Sequence, residues 1–526
     1  MKRILSFCLA TMLSVGATSL HADPVTIHLA PSSDTAPLNR ELLGSQYNFF
    51  STPIRNRIKS EALIRNWQAM PVKVMRYPGG TWGDHYVWDN PAGSYFAAGD
   101  VNSIVTPQEF ITNCRAVGAE PIFQVNTNIR GDNHKDLINP TKIEDIRTGA
   151  ERAARWVREA NKRKGWNVKY WEIGNEVWIW LKPEEYALYV VEYSKAMRAV
   201  DPTIKIIACG LAGNTGIFHP NWLKFPDDPN WSRPDVQNNA EEWNQALFDK
   251  ALGSFDYVAP HIYIESGDGK MTARERFDKS NAMILDNEKL GGQAVWGQKF
   301  QGKARIALTE WACNFRQSVP VLRNTNELES HYYYSLGNGL NTGLFFGKVL
   351  EVRTIDMAIL HALDDLQTLW YWPKKELAKD GPLDHPIHLA MKIWGGHLGK
   401  TPMQVDARNI PNVEFSGKAR PSLYTYASED ASNVYMVAIN LNADKELDLD
   451  IARDPKWSSS PAALTWMKGA ALEDTNFSAW NGAAPLKIML TTDSVPVTGE
   501  NIRIKMPLYS MVGIIIKKQT AQANAH

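Results

Sequence analysis

Two glutamates each follow a short apolar run at the point where polar residues begin. Glu176 closes the segment YWEIGNE at residues 170–176, and Glu310 follows the run ALT at residues 307–309. If both runs are parallel strands of one barrel, their carboxyl ends share a rim and the two carboxylates meet in one site. A protonated carboxylic acid can then give its proton to a leaving oxygen while an ionised partner attacks carbon or activates water. The pair therefore predicts chemistry of the kind that cleaves glycosidic bonds.

Other polar side chains stand at the ends of neighbouring runs. Arg76 precedes a Pro-Gly-Gly turn and can hold a carboxylate through a bidentate contact, or tie barrel strands together, or do both. His261 and Tyr263 lie two residues apart and so share one face of a strand, where they can hydrogen-bond Glu310 or a sugar hydroxyl. No second histidine and carboxylate stand at metal-ligand spacing from His261, so we predict no metal and no cofactor.

Eight apolar runs alternate with helical patterns between residues 40 and 400. This alternation predicts a closed (β/α)8 barrel, because an open doubly wound sheet has fewer strands and a glycine-rich phosphate loop that is absent here. Thr106, Pro107 and Glu109 predict one helix start, and residues 328–350 predict one long helix. The predicted strands are residues 42–47, 72–77, 120–126, 168–173, 204–210, 255–262, 305–309 and 355–360.

The pattern changes after residue 400. Short alternating segments separated by Gly, Pro, Asn and Asp are typical of an antiparallel β-sandwich. The predicted strands there are residues 422–427, 434–441, 447–451, 502–506 and 512–516. The predicted organisation is a signal peptide at 1–22, an N-terminal strand of the sandwich within 23–40, a catalytic barrel at 41–399 and a C-terminal sandwich at 400–526.

The first 22 residues predict export. Lys2 and Arg3 precede an uncharged run that ends in small residues, as in a secretory signal peptide cleaved after Ala22. The run is too short and too rich in Ser, Thr and Gly for a membrane anchor. We therefore expect the periplasm or the medium as the location, with three buried free thiols, Cys114, Cys209 and Cys313, left in the processed chain.

The charge balance and the aromatic content narrow the choice of ligand. The chain has 57 basic and 57 acidic residues, and removal of residues 1–22 leaves 55 and 57. Such a balance disfavours nucleic acid and anionic membranes as partners and suits a neutral carbohydrate; the oligomeric state stays open. Of the 19 Trp, Trp82, Trp178 and Trp311 are predicted at the catalytic rim, where indoles can stack on sugar rings, whereas Trp156 lies on a helix stripe.

These motifs resemble the retaining glycosidases whose glutamates follow barrel strands four and seven. Within that clan the chain is most similar to the α-L-arabinofuranosidases of glycoside hydrolase family 51. The resemblance rests on residues 76–80 (RYPGG), 171–176 (WEIGNE), 261–263 (HIY), 310–311 (EW) and 336–340 (LGNGL).

The resemblance implies a role for each of these residues. Glu176 is expected to be the acid/base, with a raised pKa, and Glu310 the nucleophile, with a normal or lowered pKa. Asn175 is expected to bind the hydroxyl next to the anomeric carbon, and His261, Tyr263 and Arg76 to position Glu310 and the sugar. Asn48, after the first predicted strand, joins the predicted substrate-binding residues. The two carboxyl groups are expected about 5–5.5 Å apart.

Three positions differ from the arabinofuranosidase pattern. A sugar-binding glutamate is usual at the end of the first strand, where this chain reads GSQYN at residues 44–48. Thr81 stands where an asparagine usually follows the double glycine, and Asn314 stands near the place of a tryptophan beyond the nucleophile. A β-glycanase, a β-xylosidase and a uronic-acid-specific glycosidase of the same clan therefore stay open. A non-catalytic periplasmic sugar-binding protein is the alternative from another class, but it gives no reason for paired glutamates.

Overall fold

Parallel strands in the N-terminal part of the chain close into a barrel. The computed structural model describes residues 23–46, 61–91, 105–127, 141–212, 236, 238–267, 271–300, 302–314, 332–361, 384–476, 485–497 and 499–519. Neighbouring strands around the barrel pair in parallel, and the last pairs with the first, which closes the sheet. The strands are β2 (Gly44–Gln46), β3 (Val74–Tyr77), β4 (Glu120–Val125), β5 (Tyr170–Ile173), β6 (Lys205–Cys209), β7 (Tyr257–Ala259), β8 (His261–Ile264), β9 (Arg305–Cys313) and β10 (Ile355–Leu360).

The sixth barrel position is divided between two short strands. β7 pairs with β6 and β9, and β8 continues after Pro260 and pairs with β9 alone. Together they match the single predicted run at residues 255–262, so the eight predicted strand regions form the barrel. Inside the barrel, alternate residues from neighbouring strands pack in a cluster that comprises Val74, Ile122, Tyr170, Ile207, Ala259, Ala307, Met357 and Ile359.

Helices cover the outside of the barrel. Thr106 and Glu109 form the predicted capping box, which satisfies amide groups at the start of the helix after residue 106. Short 3-10 segments lie at Arg40–Leu42, Val177–Ile179 and Tyr332–Tyr334, and a π-helical turn at Arg158–Arg163. The helices are α1 (Glu61–Ala69), α2 (Gly80–His85), α3 (Pro107–Val117), α4 (Ile143–Val157), α5 (Pro183–Val200), α6 (Ala240–Ala251), α7 (Ala273–Leu285), α8 (Leu290–Lys299), α9 (Leu336–Glu351) and α10 (Pro386–Gly396).

A second, mostly antiparallel sheet forms the C-terminal domain. Its order is β18-β17-β20-β15-β14-β11-β1-β16-β19, and only the β1–β16 pairing is parallel. A separate two-stranded hairpin consists of β12 and β13. The strands are β1 (Val25–Pro31), β11 (Thr401–Arg408), β12 (Asn412–Phe415), β13 (Lys418–Pro421), β14 (Leu423–Glu429), β15 (Asn433–Asn440), β16 (Leu447–Ala452), β17 (Ala462–Lys468), β18 (Leu490–Val495), β19 (Asn501–Met506) and β20 (Ser510–Lys517).

β11 joins the two halves of this sheet. Its first two residues pair with β14, and residues 403–408 pair with β1. Side chains from both halves pack into one apolar core, including Ile27, Met436 and Ile504. The fold class predicted from the sequence, a (β/α)8 barrel with a C-terminal antiparallel β domain, is confirmed.

The sheet packs closely on α9, and small residues in this helix allow the approach. A Cβ atom on Gly347 would lie 2.4 Å from the ring of Tyr424, and one on Gly343 would lie 3.0 Å from Met511 Sδ. The predicted single helix over residues 328–350 is interrupted, because Tyr332–Tyr334 form a 3-10 turn and the Ser335 hydroxyl accepts the Asn338 amide and starts α9 at Leu336. Residues 328–331 lie outside the described ranges.

Several other predictions concern residues at the ends of the chain and the cysteines. The proposed signal peptide at 1–22 lies outside the described residues. Cys114, Cys209 and Cys313 are buried and unpaired. Within the described ranges, every helix falls short of the length and apolar character that a membrane span requires.

Candidate active site

The turn after β5 brings Asn175 and Glu176 to the carboxyl end of the barrel. Gly174 has φ +74°, and a Cβ atom there would lie 2.5 Å from Val177 Cγ1, so only glycine fits this turn. Glu176 itself adopts a left-handed backbone conformation, with φ 47° and ψ 30°. A non-glycine residue in that conformation costs free energy and must be held by its surroundings. The strained turn places a half-buried carboxylate directly after the strand.

Glu310 lies on β9 beside the first residue of β8. The strand register pairs His261 with Glu310, and Tyr263 lies two residues further along on the same face. Tyr263 donates its hydroxyl hydrogen to Glu310 Oε2 over 2.5 Å, and Arg76 Nη1 donates to Oε1 over 2.7 Å. Both oxygens of this buried carboxylate therefore accept a hydrogen bond, which fixes its orientation.

Arg76 joins four side chains from three barrel strands and the loop after β5. Its Nε donates to Glu172 Oε2 over 2.5 Å and its Nη2 to Asn175 Oδ1 over 2.8 Å. Its Nη1 also lies 3.2 Å from Gln46 Oε1. The guanidinium is fully buried and salt-bridged to both Glu172 and Glu310. The two functions considered for Arg76, holding a carboxylate and tying strands together, thus occur at the same time.

His261 bridges the two predicted catalytic glutamates. Its Nδ1 lies 3.0 Å from Glu176 Oε1 and 3.3 Å from Glu310 Oε2, and its Nε2 lies 3.1 Å from Thr309 Oγ1. The three groups place one potential ligand atom each within 4.8 Å of one another, close enough to hold a metal ion. The same distance bounds the separation of the nearest carboxylate oxygens of Glu176 and Glu310.

The charges around Glu310 keep it ionised. Burial alone would raise the pKa of Glu310, but the charges of His261, His361 and Arg76 and the hydrogen bond from Tyr263 outweigh it, and the pKa falls below its usual range. Burial lowers the pKa of His361 and outweighs the opposite influence of the neighbouring Glu310.

The pKa values of two partners of Glu310, Arg76 and His261, shift in the opposite direction. Burial alone would lower the pKa of Arg76, but Glu172 and Glu310 raise it above its usual value. Burial also opposes charge on His261, yet the negative charge of Glu310 and the hydrogen bond with Glu176 raise the pKa of the imidazole. The site therefore stabilises an anion at Glu310 and a proton on His261.

The structure brings together six of the predicted site residues: Arg76, Asn175, Glu176, His261, Tyr263 and Glu310. Asn175 is buried, and its backbone amide donates to Asp84 Oδ1 over 3.0 Å. Trp178 follows Glu176 and is half-buried, with its carbonyl accepting from Asn238. Asn48 and the side chain of Trp82 lie outside the described residues, so their placement stays a prediction.

Trp311 is a correction to the sequence prediction. It is fully buried and packs on Phe345 and Phe346 of α9, with ring centroids 5.2 and 6.1 Å away. Successive side chains of a strand point to opposite faces, so a strand that directs Glu310 into the barrel directs Trp311 outward to the helices. Trp311 is therefore a core residue and does not line the site.

Sequence reasoning missed several residues that shape the site. Glu172 and Thr309 are fully buried. Gln46 and Asp84 are also buried, and they accept hydrogen bonds from Arg76 and from the Asn175 backbone amide, respectively. His361 follows β10 with Nδ1 4.0 Å from Glu310 Oε2. The rule that strand ends point into the site would have found His361, because the eighth strand ends at Leu360.

Comparisons with known proteins show which sequences this chain resembles. Residues 66–249 match the family model of the α-L-arabinofuranosidase 1 domain. A probable α-L-arabinofuranosidase C of Aspergillus clavatus is 31% identical over 210 residues, which cover 37% of this chain and 38% of that protein. The chain is similar to the α-L-arabinofuranosidases. The alignment thus spans less than half the length of this curated relative.

Solved structures share the fold over nearly the whole chain. An α-L-arabinofuranosidase from Thermotoga maritima in complex with arabinose has a TM-score of 0.65 at 18% identity, covering 94% of this chain and 100% of that one. The GH51 arabinofuranosidase from Xanthomonas axonopodis pv. citri has a TM-score of 0.68 at 15% identity, with 94% and 99% covered. This chain therefore shares the fold of these structures, including the β domain.

Proposed function

We propose that the protein is a retaining glycoside hydrolase that cleaves α-L-arabinofuranosides, with Glu176 as acid/base and Glu310 as nucleophile. The observation that carries this proposal is the close approach of the two carboxylates, which have one oxygen each within 4.8 Å of the other and both contact His261 Nδ1. Retaining enzymes hold their carboxyl groups about 5–5.5 Å apart, whereas inverting enzymes leave about 6.5–9.5 Å for a water molecule. The short separation favours direct attack by one carboxylate.

The reaction follows from the two protonation states. Ionised Glu310 attacks the anomeric carbon while Glu176 protonates the leaving oxygen, so the glycosidic bond breaks and a glycosyl–Glu310 ester forms. Glu176 then removes a proton from water, the water oxygen attacks the anomeric carbon, and Glu310 leaves. Two inversions give net retention. Arg76 and Tyr263 stabilise Glu310 before attack and after its release.

The proposed substrate, an arabinofuranoside, is inferred from the comparisons. One contact in the site favours a different substrate. Gln46 presents a neutral amide at the end of β2, and its oxygen is engaged by Arg76. A carboxylate at this position can accept two sugar hydroxyls, which an engaged amide cannot do. A β-xylosidase, β-glycanase or uronic-acid-specific glycosidase of the same mechanism is therefore the second candidate. Carbohydrate is the proposed partner in each case.

The test combines a substrate panel with paired variants. Aryl α-L-arabinofuranosides, β-xylosides, β-glucosides and uronides are assayed, and proton NMR identifies the anomer released first. We expect arabinofuranoside cleavage with retention, and loss of at least about 10³-fold in Glu310→Gln. Glu192→Gln, which removes a carboxylate on helix α5 that is paired with Arg147 on helix α4, is the matched control.

Azide separates the two glutamate roles. With an activated aryl glycoside, azide should restore turnover to Glu176→Ala and give a glycosyl azide of retained configuration, since azide needs no general base. First release of the inverted anomer, or unchanged cleavage in Glu310→Gln, contradicts the mechanism. Cleavage of xylosides or glucosides without arabinofuranosides favours the second candidate.

We also propose export directed by residues 1–22. Fractionation of cells that express the full chain, compared with a version that lacks residues 2–22, tests this proposal. Glycosidase activity that stays in the cytoplasm with the full chain contradicts it.

A further inference from the structure

Thr309 connects the His261 imidazole to a second buried carboxylate. Its hydroxyl oxygen lies 3.1 Å from His261 Nε2 and 2.6 Å from Glu172 Oε1. Thr309 and Glu172 are fully buried. His261, Thr309 and Glu172 thus form a series of hydrogen bonds. The direction of each hydrogen bond in the series decides which nitrogen of His261 holds a hydrogen.

The direction of these hydrogen bonds follows from the charge on Glu172. Glu172 forms a salt bridge with the buried Arg76 over 2.5 Å, and an ionised carboxylate only accepts hydrogen bonds. Thr309 has a single hydroxyl hydrogen, which it donates to Glu172 Oε1. Only lone pairs of the hydroxyl oxygen then face His261, so Nε2 must hold a hydrogen.

This assignment leaves Nδ1 as the nitrogen that gains or loses a proton. Nδ1 lies 3.0 Å from Glu176 Oε1 and 3.3 Å from Glu310 Oε2. We propose that Thr309 and Glu172 are positioning residues that keep a hydrogen on Nε2 of His261, so that Nδ1 shares one proton with Glu176 and keeps it available for the leaving group. This inference rests on the proposed function, in which Glu176 is the acid.

The proton count of the step is balanced. The shared proton passes from Nδ1 to Glu176 Oε1 and on to the glycosidic oxygen as the bond to the anomeric carbon breaks. The water that later attacks the anomeric carbon gives its proton back to Glu176, which restores the shared proton. Nε2 keeps its hydrogen throughout.

The charged and titratable groups that act on His261 are Glu176 after β5, Glu310 on β9, Arg76 on β3 and His361 after β10, with Glu172 acting through Thr309.

Removal of the Thr309 hydroxyl should reverse the tautomer. In Thr309→Val, Nε2 loses its acceptor, so the neutral imidazole holds its hydrogen on Nδ1, where it donates to the glutamates. With its hydrogen on Nδ1, the imidazole donates to Glu176 and no longer accepts a hydrogen bond from it. The His261 imidazolium also loses the stabilisation that the Glu172 carboxylate provides through the Thr309 hydroxyl. Both effects remove the shared proton at a lower pH than in the wild type, so the alkaline limb of the kcat/KM profile moves to lower pH.

The leaving group gives a second readout. Alkyl glycosides need a proton on the departing oxygen, whereas dinitrophenyl glycosides do not, and general acid catalysis contributes about 10²–10⁴-fold. We expect Thr309→Val to lower kcat/KM for an alkyl glycoside by about tenfold or more and to change the dinitrophenyl value less than about threefold. Thr309→Ser keeps the hydroxyl and should match the wild type in both assays.

The tautomer itself is measured by ¹⁵N NMR of histidine-labelled protein without substrate. The chain has 12 histidines, and the His261 signal is assigned by its loss in His261→Asn. We expect the hydrogen on Nε2 in the wild type and in Thr309→Ser. A hydrogen on Nδ1 alone in the neutral wild-type imidazole overturns the proposal, and so does a Thr309→Val profile identical to that of Thr309→Ser.

These outcomes are separate from those of the proposed function. If the wild type cleaves no glycoside, the catalytic proposal fails, and the NMR measurement still decides the tautomer. If Thr309→Val does not fold, Thr309→Ala is used for the same comparison, and the wild-type spectrum alone is still able to refute the assignment.

Discussion

Arg76→Met removes the cation that two buried carboxylates share. Arg76 donates to Glu172 and Glu310 over 2.5 and 2.7 Å, and all three side chains are almost completely excluded from solvent. A hydrogen bond to a charged group contributes about 1.5–3 kcal/mol, and an uncompensated buried charge costs about 3–5 kcal/mol. We therefore expect the free energy of unfolding to fall by about 3–5 kcal/mol at pH 7.

The loss of stability in Arg76→Met should depend on pH in a direction that follows from the pKa of Glu310. In the wild type the pKa of Glu310 is lowered, so its contribution to stability is present above the unfolded-state pKa and is lost as pH falls through the folded-state pKa. In Arg76→Met, burial of Glu310 is no longer opposed by the guanidinium and its pKa rises. The stability defect should therefore shrink as pH falls from 7 to 5, and the acidic limb of kcat/KM should move to higher pH.

Urea unfolding at both pH values and the pH profile of kcat/KM are the assays. Arg147→Met is the matched control, because it breaks an exposed ion pair with Glu192 and should have little effect. Arg76→Lys keeps the positive charge but lacks the planar guanidinium. Its free energy of unfolding and its acidic limb of kcat/KM should therefore lie between those of the wild type and Arg76→Met. A stability of Arg76→Met within about 1 kcal/mol of the wild type, with an unchanged acidic limb, would refute the reasoning.

Three further changes test other contacts. Tyr263→Phe removes a donor to Glu310, so the acidic limb of kcat/KM should move to higher pH without a large loss of stability. Trp311→Ala should lower the free energy of unfolding by about 3–5 kcal/mol, measured with urea, and leave KM unchanged. Arg420→Met releases Asp286, whose pKa the Arg420 hydrogen bond lowers to about 2. Unfolding measured between pH 4 and pH 2 should then depend less on pH, because the wild type loses this contribution as pH falls through that range.

The barrel and the two glutamates could be predicted because each depends on local sequence. Runs rich in Val, Ile and Leu mark strands buried on both faces, and the residue after each run lies at a known edge of the barrel. The error at Trp311 was avoidable from the same pattern. Glu310 and Trp311 are adjacent, so one strand cannot direct both side chains into the site.

The hydrogen bonds within the site could not be predicted. Thr309 meets Glu172 across 137 residues, and Arg76 meets Glu310 across 234. Such contacts depend on the register between neighbouring strands, which the apolar pattern does not specify. Strands β11, β12, β13, β17 and β18 were also not predicted from the sequence. β18 is largely exposed at a sheet edge, so its sequence lacks the apolar alternation of a half-buried strand.

The position of β1 has a consequence for the order of folding. Thr26 pairs with Arg408 on one side and Asp450 on the other, so this strand leaves the ribosome long before either neighbour. At roughly 5–20 residues per second, about 20–80 s separate β1 from β11. The barrel can close within that interval, whereas the β domain cannot. The first described strand of the chain is therefore among the last to be stabilised, and a fragment that begins at residue 400 would leave the edges of β11 and β16 open to pairing with other chains.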